Sequence, residues 1–246
     1  MDDILFTRTF LILWWMLLIT AITAFFNKSF ETKREMLWTV IWSFAVLIAV
    51  MIFSDSFPLN ILLVALFSGF IGWNIWPTIE FYKTSAKRKR FMRVNNIILK
   101  KWESLSEEQN EQFQQYLIEH PISEEDNKIV AQAFMGTALA VIATSWIVFL
   151  TDYDFSFMES FLFIALLILV IMWILNLLFF RSKTFSLIRA YLWVIIFTGY
   201  LLFDFNQLEK SAGDESRATA IDIAVNIYLD IINLFLSLLE ILGSWD

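Results

Sequence analysis

Apolar residues run along this chain in long stretches that short polar connections separate. Five stretches of about 20 residues carry no charge, and two more near the C-terminus carry two ionisable residues each. A bilayer core of about 30 Å needs about 20 apolar residues in a helix, and in lipid a helix satisfies its own backbone hydrogen bonds. The ten-residue alternation of barrel strands is missing from the pattern. The sequence therefore predicts an all-α membrane protein with seven transmembrane segments: 9–27, 36–54, 56–79, 129–151, 160–180, 185–208 and 223–242.

One sizeable polar region, residues 83–128, interrupts this pattern between segments three and four. It opens on the basic run Lys87-Arg88-Lys89-Arg90, which either continues the third helix as a basic flank or lies against anionic head groups. Further on, Ser106 and Gln109 have the spacing of a helix-capping box, which predicts a short helix. The chain thus divides into segments one to three (1–82), a polar helical insertion (83–128) and segments four to seven (129–246).

The composition agrees with a membrane protein and excludes several kinds of site. Hydrophobic residues make up 59% of the chain and charged residues 17%, whereas soluble domains are about 45–50% apolar and about 25% charged. With no cysteine and one histidine, the chain has no thiolate metal site and no multi-histidine metal or haem site. We expect a lipid environment, no resident cofactor, no nucleic-acid partner and no enzyme activity.

Lysine and arginine are distributed unevenly between the loops on the two sides of the predicted membrane. The loops after segments one, three and five hold 14 of them, and the opposite side holds three. Because cytoplasmic loops carry the excess of basic residues, this count predicts an external N-terminus and a cytosolic C-terminus.

Polar residues inside the last two segments fall on single helix faces. An ionisable side chain at the centre of a spanning helix costs about 2.5–3.5 kcal/mol on insertion scales, so such residues usually face a bundle interior or water. Segment seven has one polar stripe at helical spacing, and segment six has another that follows Arg189 by eleven residues. The stripe of segment seven is Asn226, Asp230, Asn233, Ser237 and Glu240, and that of segment six is Tyr200, Asp204 and Gln207.

Asp204 and Asp230 are expected to lie at similar depth from the same membrane face. Asp204 is about 6 Å from the end of its segment and Asp230 about 10 Å from the start of the next, at 1.5 Å per residue. Two acids in one apolar site cannot easily both ionise, and such a pair can share a proton. The pair is therefore either a proton-operated latch between two helices or an interhelical hydrogen bond without further function, whereas Glu240 is expected at the membrane interface.

Segment three combines small residues with a proline. Ser68, Gly69 and Gly72 allow a neighbouring helix to approach closely, and Pro77 predicts a kink or an unwound turn near a cavity.

These segments together resemble the Bax inhibitor-1 family of multi-spanning membrane proteins, including its bacterial members. The strongest match is the run IYLDIINLF at 227–235, paired with LFDFNQ at 202–207. Weaker matches are FSGF at 67–70, AFMGTA at 133–138 and FSFM at 155–158. The resemblance covers all seven segments in order and leaves 83–128 as an insertion.

The resemblance implies a fold of six helices around a central seventh, and a pH-sensitive calcium leak in which Asp204 and Asp230 act as proton sensor and latch. Family members often carry a basic residue after segment two that can pair with an aspartate. Here Ser54-Asp55-Ser56 stands at that place, so Arg189 is a candidate substitute. Bacterial relatives would place the N-terminus in the cytosol, whereas the charge count places it outside. We prefer the orientation that the charge count predicts.

The leading functional hypothesis is a proton-gated cation leak, with calcium as the transported ion, in a bacterial cytoplasmic membrane. Asp204 and Asp230 would contact the ion transiently, because oxygen ligands suit a hard cation. The supporting polar residues would be Asn226, Asn233, Tyr200, Gln207 and Arg189. The alternative is a membrane-embedded regulator without transport, which would bind a membrane protease or a stress-response complex through residues 83–128. An intramembrane aspartyl hydrolase is a third possibility, for which no supporting motif is found.

Overall fold

The computed structural model describes residues 4–27, 30, 32–98, 105–120, 124–151, 153–180, 182–214 and 216–245. Within these ranges the elements are helices joined by short connections. A 3₁₀ turn at Ser156–Met158 precedes α6, and a π-helical turn at Asn176–Phe180 follows it. The eight α-helices are α1 Ile4–Phe26, α2 Lys33–Ile52, α3 Leu59–Val94, α4 Glu107–Glu119, α5 Glu124–Leu150, α6 Glu159–Leu175, α7 Lys183–Lys210 and α8 Arg217–Trp245.

Seven of these helices are long and apolar enough to cross a membrane, and they are α1, α2, α3, α5, α6, α7 and α8. Each overlaps most of one of the seven segments predicted from the apolar pattern, which confirms both the all-α class and the number of spans. The protein is thus an integral multi-pass membrane protein. The eighth helix, α4, is the short helix predicted inside the polar insertion, and it begins with the predicted capping box.

The C-terminal helix α8 lies at the centre of the bundle. Half of the residues in its most apolar stretch are buried, whereas a third or less are buried in the corresponding stretch of every other span. It packs directly against α1, α3, α5 and α7, while α2 packs mainly on α3 and α6 mainly on α7. The implied ring of six helices is therefore an inner set of four and an outer pair. Large side chains on the outer pair, such as Trp42 and Phe163, are exposed and suited to lipid contact.

A buried hydroxyl pair joins α8 to α1. The phenol oxygen of Tyr228 lies 2.6 Å from Oγ1 of Thr20, and both side chains are nearly inaccessible. Thr20 also donates to the carbonyl of Met16 at 2.8 Å, while the Tyr228 ring packs edge-on against Phe67 of α3. These contacts give polar groups in the core the partners that burial requires.

Helix α3 continues without a break through Pro77, so the predicted alternative of an unwound turn is wrong. A proline has no backbone N–H, which leaves the carbonyl of the residue four positions earlier without its helical donor. That residue is Trp73, and the side-chain Nδ2 of Asn27 donates to its carbonyl at 2.5 Å. The side chain that follows α1 thus replaces the missing helical hydrogen bond, and the helix stays intact.

The basic run extends α3 beyond the spanning segment, which supports the interpretation of a continued helix. Lys89 on this extension donates to the carbonyls of Gly243 (3.2 Å) and Ser244 (3.0 Å) at the end of α8. Phe91 packs against Phe113, at 5.4 Å between ring centroids, and so holds α4 on the extension. The basic region and the end of α8 therefore lie on the same side of the bundle.

Candidate functional site

The structure brings Asp204 of α7 and Asp230 of α8 together inside the bundle. The two helices are antiparallel neighbours joined by a short connection, and the two residues are 4% and 5% exposed. Their carboxyl groups lie within hydrogen-bonding reach of each other. No donor from the described residues reaches the buried Oδ2 of Asp230, and a proton shared with Asp204 would satisfy this oxygen.

Both aspartates line a cavity of about 570 Å³ between α6, α7 and α8. Three of the polar residues singled out in the sequence line it as well, namely Tyr200, Asn226 and Asn233. Gln207, predicted on the same face of α7, is partly buried but does not belong to this lining. The cavity therefore collects most of the two polar stripes at one place.

A second cavity, of about 460 Å³, follows the polar stripe of α8 away from the aspartates. Asn233 lines both cavities, and Ser237 and Glu240 continue the stripe into the second one. Trp193 and Phe197 of α7 also line both, with their rings stacked at 5.0 Å between centroids. The stripe predicted from spacing therefore borders two adjoining cavities along α8.

Arg189 pairs with Glu240 and not with an aspartate, so its predicted role as substitute partner of the aspartate pair is wrong. One guanidinium nitrogen lies 3.2 Å from Oε1 and 3.3 Å from Oε2 of Glu240, and Ser186 also donates to this carboxylate. The two side chains are 12% and 17% exposed. Glu240 is thus mostly buried in an ion pair between α7 and α8.

Helix spacing held a signal for this pair. In antiparallel helices, moving backward from Asp204 and forward from Asp230 leads toward the same membrane face. Arg189 lies 15 residues before Asp204, and Glu240 lies ten residues after Asp230. At 1.5 Å per residue, these two separations differ by about 7 Å along the helix axis. An extended arginine side chain covers this difference, so the two charges can meet.

A further buried contact near the aspartates involves Asn206, which the sequence analysis quoted in a motif without giving it a role. Asn206 is 1% exposed, and its Oδ1 accepts a hydrogen bond of 2.7 Å from the backbone N–H of Phe155. This contact fastens the connection between α5 and α6 to α7, two residues after Asp204.

The cavity lining has oxygen ligands but no cluster typical of a tightly bound metal ion among the described residues. Within the described part of the chain, no three His, Cys, Asp or Glu side chains converge on one point. Ca²⁺ takes six to eight oxygen ligands, and the lining offers five carboxylate or amide side chains, which are Glu159, Asp204, Asn226, Asp230 and Asn233. Water would have to complete the coordination of an ion in this cavity.

Comparison with known proteins identifies a family and several relatives that match about half of the chain. The family model described as "Inhibitor of apoptosis-promoting Bax1" matches residues 115–246. Protein LIFEGUARD 1 of Arabidopsis thaliana is 40% identical over 121 residues, which are 48% of this chain and 50% of that protein.

Two further relatives come from a virus and a bacterium. The Golgi anti-apoptotic protein of Vaccinia virus (strain Lister) is 35% identical over 117 residues, 48% of each chain. A protein named "Uncharacterized membrane protein" from Vibrio cholerae is 34% identical over 115 residues, 47% of this chain and 49% of that one. The chain spans about half the length of each of these relatives. The family match covers more than half of the chain and includes both aspartates, and the chain therefore belongs to the Bax inhibitor-1 family.

Proposed function

We propose that this protein is a pH-sensitive cation leak, with Ca²⁺ as the leading ion, and that Asp204 and Asp230 form its proton-operated latch. The observation that carries the proposal is the meeting of two buried carboxyl groups, from adjacent helices, in one polar cavity. A single proton bridging two such groups stabilises the contact between α7 and α8.

Release of that proton would leave two negative charges side by side in a poorly hydrated site. At a separation of about 4 Å and an effective dielectric constant of about 20, the repulsion is about 4 kcal/mol. This energy corresponds to a change of about a thousandfold in the ratio of closed to open bundle. Deprotonation thus drives α7 and α8 apart, and water and a cation enter the cavity.

The cavity lining supports a cation as the transported species. Carboxylate oxygens and the amide oxygens of Asn226 and Asn233 are hard ligands, which Ca²⁺ prefers. Conduction requires a site that attracts the ion but releases it again, and an incomplete ligand set completed by water meets this requirement.

The test is Ca²⁺ flux into liposomes that contain the purified protein, followed with an enclosed calcium indicator between pH 6 and pH 8. We expect the flux of the wild type to rise with pH as the shared proton is lost. Asp204→Asn and Asp230→Asn each remove one ionisable group, so the mutual repulsion cannot develop and the pH dependence should flatten.

Asp222→Asn is the matched control, because Asp222 is an exposed acid on the same helix as Asp230 and outside the cavity lining. This variant should keep the wild-type pH curve. The proposal fails if folded wild-type protein, identified by its helical circular dichroism, gives no flux at any pH. It fails equally if both asparagine variants retain the wild-type pH response.

A further inference from the structure

A series of adjoining cavities leads from the aspartates toward the basic side of the bundle, and the Arg189–Glu240 ion pair lies along it. The second cavity shares Tyr82, Ser186 and Glu240 with a third, of about 420 Å³, which reaches Lys89. The three cavities therefore adjoin one another along α7 and α8. Arg189 and Glu240 stand in the middle of this series, where an ion that has left the aspartates would meet them.

The Arg189–Glu240 pair is buried enough for its charges to act strongly on a neighbouring ion. The guanidinium of Arg189 contributes a positive charge. Its Nε is buried with no partner from the described residues, so Glu240 and Ser186 hold the guanidinium from one side. Without Glu240, a cation in this cavity would meet an uncompensated positive charge in surroundings that screen it weakly.

We propose that Arg189 and Glu240 are the charge-selecting residues of the leak: Glu240 cancels the positive charge of Arg189 and so makes the second cavity passable for cations. This inference rests on the leak function proposed above and adds a second determinant about 15 Å along α8 from Asp230. Removing either residue breaks the same ion pair, but the two changes leave opposite charges behind.

The test compares Glu240→Gln and Arg189→Gln in the liposome assay at a pH where the wild type is open. Glu240→Gln leaves Arg189 uncompensated and should lower Ca²⁺ flux by on the order of tenfold. Arg189→Gln leaves an unpaired carboxylate and should raise the flux relative to the wild type. The double variant carries neither charge and should lie between the two single variants.

A purely structural role predicts a different pattern, because both single variants break the pair and would then change flux in the same direction. That result, or no change in either variant, overturns the inference. If the wild type still conducts Ca²⁺ in the same experiment, the proposed leak function is unaffected. Absence of wild-type flux overturns both.

If the glutamine variants do not fold, Ser186→Asp and Ser186→Lys add one charge beside Arg189 and Glu240 while keeping both of these residues. The first should raise the flux and the second lower it. Equal effects from both substitutions would contradict charge selection at this site.

Discussion

The ammonium of Lys210 lies 2.5 Å from Oδ1 of Asp154 and ties the end of α7 to the connection between α5 and α6. Lys210 also donates to Oγ of Ser156 at 2.9 Å, and the backbone N–H of Ser156 donates to Oδ1 of Asp154 at 2.8 Å. The hydrogen bond from Lys210, followed by that from Ser156, lowers the pKa of Asp154 to about 2. The carboxylate is therefore ionised throughout the neutral range.

The pH dependence of stability that follows from Asp154 lies at acidic pH. Its pKa is about 2 in the folded protein and about 4 in the unfolded chain, so its contribution is fully present above about pH 4. The contribution disappears as pH falls through the folded value. Asp154→Asn should therefore lower the unfolding temperature in detergent by a constant amount from pH 8 to pH 5, and the difference should vanish near pH 2. A difference that changes between pH 6 and pH 8 would contradict this assignment.

Asp214, an acid in the connection between α7 and α8 on the same side of the bundle, also has a lowered pKa. Thr219 donates to it at 2.6 Å and the backbone N–H of Ser216 at 2.8 Å, and these bonds lower its pKa. Both loop acids thus stay charged between pH 6 and pH 8. A pH response of flux in that window would therefore not come from Asp154 or Asp214.

The packing of α1 on α3 depends on one of the two glycines that the sequence analysis selected. A Cβ placed on Gly72 would lie 2.9 Å from Cα of Thr20 and would also clash with the Thr20 carbonyl and Oγ1 of Thr23. A Cβ on Gly69 would meet the nearest atom, Cγ2 of Thr23, at an ordinary 3.7 Å. The predicted close approach is thus confirmed at Gly72 and absent at Gly69.

Gly72→Ala should destabilise the protein by about 1–3 kcal/mol, because the backbone of α1 must move to admit the methyl group. Gly69→Ala is the matched control in the same helix, and it should be neutral or slightly stabilising since alanine favours helix. Thermal unfolding of both variants in detergent, followed by circular dichroism, measures the difference. A Gly72→Ala variant as stable as the wild type would show that the contact with α1 does not need glycine, and equal losses from both substitutions would show that the cost is not specific to the clash at Gly72.

The number of helices could be predicted because lipid permits few alternatives. An uncharged run of 20 residues has to form a helix across the membrane, so composition alone located all seven spans. Helix length outside the membrane has no such constraint. Lysine and arginine favour helix about as well as leucine, and α3 therefore runs to Val94, beyond the end of its apolar segment at Ile79.

Helix periodicity predicted which side chains of the candidate site share one helix face. Spacing places residues on one face of a helix, and the short connection makes α7 and α8 neighbours, so the meeting of Asp204 and Asp230 could be expected. Periodicity does not show which neighbouring helix a face meets. The bond from Asn27 to the Trp73 carbonyl and the contact of Tyr228 with Thr20 depend on packing between helices distant in sequence.

Membrane orientation decides which compartment the aspartate latch senses. The end of α8 lies on the side of the basic extension, since Lys89 contacts Gly243 and Ser244. The connection between α7 and α8, which contains Asp214, lies on the opposite side, six residues from Asp204 along α7.

With 14 basic residues against three, we expect the C-terminus in the cytosol and Asp214 outside. In bacterial cells, a green fluorescent protein fused after Asp246 should fluoresce, because it folds in the cytosol. An alkaline phosphatase inserted at Asp214 should be active, because it requires the oxidising exterior. Replacing Lys87, Arg88, Lys89 and Arg90 with alanine should weaken this preference and give mixed signals. An inactive phosphatase at Asp214, together with a non-fluorescent C-terminal fusion of normal abundance, would reverse the orientation and place the latch on the cytosolic side.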